Sequence, residues 1–348
     1  MVEWLSGSRV QGSSTTPAST SGWKEIGRAT VSSGDALDTG VMSVTKENMM
    51  ILCHTVGSGT THPKLHFNNE TTGTNYAFSY GSGGAADGTP STEQNYFRVQ
   101  GGVSGDPVQW SVSNVMNIEN IEKLISHYLV INQTDGDTNT VSYEETGGKW
   151  ASNSIVNRVD CDNGQSGSYS TGTELVVLGV DNQESSTTTP FWQRLDSSDP
   201  LSSAGDTLDT GTFTAKKYLM VEYKTIASSN TDDIYIRFNG NSSNYQYVRA
   251  GMGVDSSPYN SQDKMIVSWN NSTSDRDGVM MISNFSGEEK IVQSRSSITY
   301  TSGVSAAPIS WNVYGKWCNT SQINRITLDN QGGGNFDTGS YIRVFGAD

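Results

Sequence analysis

The sequence predicts an all-β protein built from two tandem homologous antiparallel β-sandwich domains of jelly-roll-like type. Three observations predict it. The octapeptide SGDALDTG at 33–40 returns as AGDTLDTG at 204–211, displaced by 171 positions. Within the second copy, DIYIRF at 233–238 alternates Ile234, Ile236 and Phe238 against Tyr235 and Arg237, the period of a half-buried strand. The composition agrees: 37 glycines in 348 residues, 34% apolar and only 17% charged, the balance of turn-rich domains with small interiors rather than of a chain kept open by charge.

The repeat runs well past the octapeptide. HFN at 66–68 matches RFN at 237–239, Asn75-Tyr76 matches Asn244-Tyr245, and EKL at 122–124 matches EKI at 289–291. Gly148-Lys149-Trp150 pairs with Gly315-Lys316-Trp317, Asn157-Arg158 with Asn324-Arg325, and Asp162-Asn163 with Asp329-Asn330. Gly172, Gly179 and Asp181 pair with Gly339, Gly346 and Asp348, the displacement having fallen only to 167. Small loop deletions produce such a drift. The expected organisation is a first sandwich over 22–181, a polar linker over 182–189 ending at Pro190, and a second sandwich over 190–348. Residues 1–21 have no counterpart. Rich in Ser, Thr and Gly, they read as an arm that is mobile alone and that contacts a neighbouring subunit through Trp4, Leu5 and Arg9.

YQYVRAG, MIVSW, ELVVLGV and YIRVFGA are further short β-branched or aromatic runs bounded by Gly, Asn or Ser, the mark of strands. IENIEKLISHY at 118–128 spaces its isoleucines as a helix would. Its partner, SNFSGEEKIVQS, carries Gly287 and serines that interrupt a helix. Homologous copies share a fold, so both segments read as strand–turn–strand, with seven or eight strands expected per copy.

The net charge is −14 and the pI about 4.7. A negative surface repels phosphate backbones and anionic membranes, so neither nucleic acid nor a lipid surface is an expected partner. No run approaches the ~20 apolar residues that span a bilayer, and MVEWLSGSRV lacks a signal-peptide pattern. Cys53, Cys161 and Cys318 are odd in number and unmatched between copies, which argues against a disulfide framework.

Asp-Thr-Gly is also the active-site tripeptide of pepsin-like aspartic proteases. There, one carboxylate from each lobe shares a proton, and Asp38 and Asp209 would be the pair. Three features oppose this: Val41 follows the first copy, Gly-Asp stands where a buried apolar strand is needed, and Asp337-Thr338-Gly339 is a third occurrence aligned with Ser170-Thr171-Gly172. The tripeptide reads as a turn, because Asp bonds nearby amides and Gly accepts positive φ. The histidines, His54, His62, His66 and His127, all lie in the first copy. Their spacing is weak for a metal site, and His66, aligned with Arg237, reads as a polar surface position. DCDNG at 160–164 opens like a calcium-binding EF-hand loop, but its twelfth position is Thr171 rather than Glu. DRDG at 275–278 and DGD at 135–137 are similar fragments. A structural calcium ion is the one cofactor left open. The matched pairs Trp23/Trp192 and Trp150/Trp317 read as core. The aromatics proposed for sugar stacking are Tyr76, Tyr80, Trp110, Tyr235 and Trp269. No Ser–His–Asp order, phosphate-cradling Gly loop or Cys-x-x-Cys pair emerges, so no enzyme is expected.

The last stretch, INRITLDNQGGGNFDTGSYIRVFGAD, combines an apolar strand (323–328), a Gly-rich turn ending in Asn-Phe (332–336), the step Thr338-Gly339 and a final strand (341–346). This order, with GKW-x-N at 315–319 upstream, resembles the closing hairpin of virion structural proteins of tailed viruses, especially environmental ones. The first copy holds a degraded version at 155–159, Asn163-Gly164, Thr171-Gly172 and 175–179, without the Asn-Phe step. The resemblance implies a non-enzymatic capsid, decoration, tail or fibre subunit. It would assemble in the host cytoplasm as a homo-oligomer and with other virion proteins. The alternative is a tandem carbohydrate-binding adhesin whose partner is a host-surface glycan. A hydrolase using Asp38 and Asp209 is the second alternative.

Overall fold

The computed structural model describes residues 22–82, 90–99, 103–105, 107–133, 135–136, 141–181, 190–227, 233–251, 258–268, 275–299, 309–331 and 334–348, and the backbone of 4–5 and 8–9. The expected linker, 182–189, lies outside them. Two units form, Met1–Thr134 with Ser142–Phe191 and Asp135–Val141 with Trp192–Asp348.

In the first unit an eight-stranded antiparallel sheet runs in the order Lys24–Gly34, Ser168–Val180, Asn48–Ser58, Val108–Met116, Lys123–Asn132, Ser142–Trp150, Tyr76–Ser82, Ser91–Gln94. A four-stranded sheet runs Ala36–Asp38, Val159–Asn163, Pro63–Phe67, Phe97–Arg98. The second unit repeats both orders strand for strand: Gln193–Arg194, Tyr341–Ala347, Tyr218–Thr225, Asp275–Ser283, Lys290–Thr299, Ile309–Trp317, Tyr245–Gly251, Pro258–Gln262, and then Thr207–Asp209, Ile326–Asn330, Ile234–Phe238, Met265–Ser268. The all-β, tandem-sandwich fold read from the repeat is therefore present. Among the described residues each unit holds twelve strands in its two sheets rather than seven or eight. The extra ones include Ala36–Asp38, Phe97–Arg98, Gln193–Arg194 and Thr207–Asp209, which are too short to show an alternating pattern.

The core of each unit lies between its two sheets. In the first, Leu37, Leu65, Phe67, Phe97, Val159 and Cys161 of the small sheet meet Ile51, Cys53, Phe78, Val115, Ile125, Leu175 and Val177 of the large one. In the second, Leu208, Ile234, Ile236, Phe238, Met265 and Leu328 meet Leu219, Val221, Met280, Ile282, Val292, Val313 and Val344. The matched tryptophans are buried, as expected. Two rings hold matching places beside Trp150 and Trp317: Tyr76 and Tyr245 stack on them at 6.3 Å, at 22° and 20°. Each tyrosine hydroxyl also accepts a backbone N–H, from Phe67 at 2.7 Å and from Phe238 at 2.8 Å. Segment 118–128 is a turn leading into the strand Lys123–Asn132, as read from its partner.

Candidate functional site

The duplicated Asp-Thr-Gly forms the same turn in both units. Gly40 and Gly211 sit at φ of 63° and 64°, which glycine adopts without a Cβ clash. The Asp38 and Asp209 carboxylates accept the Gly40 and Gly211 amides at 2.6 and 2.9 Å. The Thr39 and Thr210 hydroxyls accept the Val159 and Ile326 amides at 3.0 Å. Each aspartate is also gripped through two nitrogens by an arginine of its own unit, Arg158 on Asp38 and Arg325 on Asp209. Burial works to raise the Asp38 carboxyl, but the Gly40 amide, Asp160 and Arg158 outweigh it and hold it below the usual range. Arg325 and the Gly211 amide, against some burial, do the same for Asp209. Each carboxylate is thus held ionised by an arginine of its own unit, which differs from two such carboxylates sharing one proton with each other.

Other matched residues serve the same end. Asn68 and Asn239, at φ of 55° and 54°, each donate to one carbonyl of the segment leading into the strand Val159–Asn163 or Ile326–Asn330 (Ile155, Gln322) and accept two of its amides (Asn157 and Arg158, Asn324 and Arg325). Asn117 and Asn284 clamp two segments in both copies through the Lys46 and Val156 carbonyls and the Lys216 and Ile323 carbonyls. The lysines of EKL and EKI are buried: Lys123 donates to the Ile118 and Ile121 carbonyls, Lys290 to those of Phe285, Glu288 and Thr320. Burial lowers Lys290 to about 8, against the pull of Glu288 and Glu289. Lys46–Asp181 and Lys216–Asp348 close each unit, at 2.9 and 2.6 Å.

The outward face of the small sheet is the most chemically mixed surface. In the first unit Asp160 lies directly across from Asp38. Burial and then Asp38 raise it to about 6. His66 approaches Asp162 at 3.6 Å and the Glu70 carbonyl at 3.2 Å. It is buried rather than the surface position expected, its two ring nitrogens turned to these partners, whereas Arg237 at the matching place bridges Asp263 and Asp329 at 3.2 and 3.8 Å. Lys64 lies 4.3 Å from the centre of the Tyr96 ring. In the second unit Tyr235 takes the place of Lys64 in the repeat, and it is Lys264 that approaches its ring, at 4.5 Å. The cation and the ring have changed places and kept their distance. Tyr80 is half-buried beneath the Arg98 guanidinium at 3.6 Å, and Arg98 is itself fixed by Glu144 at 2.9 and 3.2 Å.

Of the aromatics proposed for sugar stacking, Tyr76 is corrected to a core position and Trp110 to a buried one. Tyr76 packs on Trp150, and Trp110 belongs to a central strand buried along nearly its whole length. Tyr80 and Tyr235 remain half-exposed beside cations. Trp269 lies outside the described residues. For the arm, the backbone of Trp4–Leu5 pairs with Ser8–Arg9, Trp4 opposite Arg9.

DCDNG is not a loop. Val159–Asn163 is a strand, so Asp160 and Asp162 point outward while Cys161 points into the core. DRDG opens the strand Asp275–Ser283 with Arg276 buried. In DGD, Asp137 lies outside the described residues. Among the described residues, no group of three or more His, Cys, Asp or Glu side chains is arranged to hold a metal. His127 is wholly buried: its Nδ1 meets the Ser113 hydroxyl at 2.7 Å and its Nε2 the Val99 carbonyl at 3.0 Å. Burial drives it to about 4, and His62 likewise, with Lys64 and Arg98 adding to the effect there. The cysteines are free thiols. The neighbouring Cys161 thiol, and then burial, push Cys53 well up. Spacing alone does not show how the histidines are used, since none has a histidine partner in the second copy.

No family model matches the chain, and no curated protein is similar to it. Among solved structures, domains LG4-5 of the mouse laminin alpha1 chain align over 96% of this chain and 92% of that one, at 9% identity and a TM-score of 0.18. Human GIVD cytosolic phospholipase A2 aligns over 79% of this chain and 33% of that one, at 7% identity and a TM-score of 0.11. At such scores neither likeness carries an argument.

Proposed function

We propose that this chain is a non-enzymatic structural subunit of a virus particle that works as a homo-oligomer. One observation carries the reading. The residues that look reactive in the sequence are spent inside each repeat, in contacts that recur from one copy to the other: Asp38–Arg158 and Asp209–Arg325 at the turns, and the cradled lysines 123 and 290. The closing hairpin supports it too. Phe336 of the Asn-Phe step is fully buried and joins Gly205 through its backbone, while Tyr169 fills the matching place in the first copy. A rigid, doubly built sandwich that presents edges and loops suits tiling in a closed shell or ring. Negative-stain imaging and light scattering of the purified chain test this. Rings, shells, trimers or filaments are expected, and a monomer at every concentration tried would overturn it.

A second reading is carbohydrate binding. Tyr80 and Tyr235 favour it, as half-exposed rings beside charged groups able to bond sugar hydroxyls. Saturable binding on a glycan array, lost in Tyr80→Ala or Tyr235→Ala, would establish it. A blank array at millimolar sugar would remove it.

A further inference from the structure

We infer that the turn joining Val108–Met116 to Lys123–Asn132 is the receiving surface for the N-terminal arm of a second copy. The inference rests on the homo-oligomer reading and names the contact. Among the described residues, the six exposed large hydrophobic side chains all belong to the first unit: Val41, Val44, Met116, Ile118, Ile121 and Leu124. Four of them cluster here, Ile118 and Ile121 in the turn and Met116 and Leu124 on the strand ends that flank it. Val115 pairs with Ile125, so Met116 and Leu124 stand opposite each other one step further on, and facing Cβ atoms in such a pair lie ~5 Å apart. Lys123 draws the Ile118 and Ile121 carbonyls onto one ammonium, which keeps the turn compact. Asn117 ties it to the Lys46 carbonyl, beside the segment that carries Val41 and Val44.

The corresponding turn of the second unit is closed. Ser283, Phe285, Glu288 and Ile291 take the places of the four aliphatics. Phe285 packs edge-on against Tyr218 at 5.4 Å, and Ile291 is fully buried. The apolar tip is therefore a property of one copy and not of the fold. Contiguous exposed aliphatics of this kind mark an interaction surface.

The occupant is argued from the chain itself. Lys24, just past the arm's end, pairs with Gly179, Gly179 with Met49, Met49 with Val115, and Val115 with Ile125. The arm thus leaves at the tip's end of the large sheet, about 19 Å away across four strand spacings. Residues 6–22 can reach about 55 Å. The arm carries Trp4 and Leu5 for an apolar surface and Arg9 for a rim on which Glu47, Glu119 and Glu122 are exposed. The tip is exposed in the chain alone, and the homo-oligomer reading supplies its cover as the arm of another copy.

The test uses the full chain with a photo-crosslinking benzophenone side chain in place of Trp4, mixed as nitrogen-15-labelled and unlabelled copies. Irradiation should yield mixed-isotope crosslinks to peptides spanning 116–124. Ile121→Ser with Leu124→Ser should raise the dissociation constant, read by sedimentation velocity, roughly 100-fold with unchanged melting. If that variant melts early, Trp4→Ser with Leu5→Ser should give the same loss from the arm's side. Same-isotope crosslinks only, crosslinks outside 116–124, or an unaltered dissociation constant would overturn the inference and leave the homo-oligomer standing. A wild-type chain that stays monomeric would instead remove the reading beneath it.

Discussion

Acid should weaken the first sandwich through His127. The imidazole is wholly buried among Ser113, the Val99 carbonyl and the Phe97 ring, none of them charged. Burial lowers it from 6.5 to about 4. A folded pKa below the unfolded one means that the unfolded chain binds more protons between pH 4 and 6.5, so stability rises with pH across that window and is lost as pH falls through it. A shift of about 2.5 units corresponds to at most about 3.4 kcal/mol, and lowering the pH from 7 to 4.5 removes roughly 2 kcal/mol of it. Asp160, raised to about 6, works in the opposite direction in the same window, and His62 in the same direction. The His127 share must therefore be isolated by difference. Urea denaturation of the wild type and of His127→Gln, at half-unit steps from pH 4.5 to 7, supplies that difference. The stability advantage of the wild type should shrink by roughly 2 kcal/mol toward low pH. A pH-independent gap would refute the reasoning, as would a His127 imidazole resonance titrating near 6.5.

Three further outcomes are expected. Gly315→Ala should cost about 2 kcal/mol, read as a lowered melting temperature, because a Cβ there would lie 2.6 Å from the Gln246 carbonyl oxygen and from Met265 Cε. Asp38→Asn together with Asp209→Asn should leave the far-ultraviolet circular dichroism intact, and Asp38→Asn alone should lower the Asp160 carboxyl by removing a neighbouring negative charge, visible in a carbon-13 titration. Tyr235→Lys or Lys264→Tyr alone should lower the melting temperature of the second unit, whereas the two together should restore most of it, since the first unit already holds the exchanged arrangement.

The duplication made the fold legible. Matched glycines, asparagines and tryptophans mark where the backbone turns and where the core sits, and both places are fixed by sterics that a sequence displays. The Asn75-Tyr76 and Asn244-Tyr245 match already held the sign that Tyr76 is core, because a ring kept in both copies is more simply explained by packing than by one copy's ligand. The short edge strands were not legible, since two or three residues cannot show a period. Nor were the buried Lys123 and Lys290, whose partners are carbonyls and leave no trace in side-chain identity. The apolar tip could be read only after the fold was known. Met116 and Leu124 alternate with inward Val115 and Ile125, so their exposure depends on a register that spacing alone does not set.

The exchange of Lys64 with Tyr96 for Tyr235 with Lys264 bears on how the outward face of the small sheet is used. A platform for a sugar needs its ring at a fixed place relative to the groups that bond the hydroxyls. Here the ring stands just before the strand Phe97–Arg98 in one copy and on the strand Ile234–Phe238 in the other, while the cation–ring separation stays at 4.3 and 4.5 Å. What the two copies keep is the contact and not the ring's position, as expected where a cation–π pair ties two strands together at a half-exposed site. The same test separates the Asp-Thr-Gly turns, whose arginine partners are kept by identity, from the tip at 116–124, where aliphatic side chains stand against Ser283 and Glu288 with no compensating change. Contacts preserved or exchanged between copies hold the sandwich. A surface altered in one copy without an internal partner to match it is where the first unit meets something that the second does not.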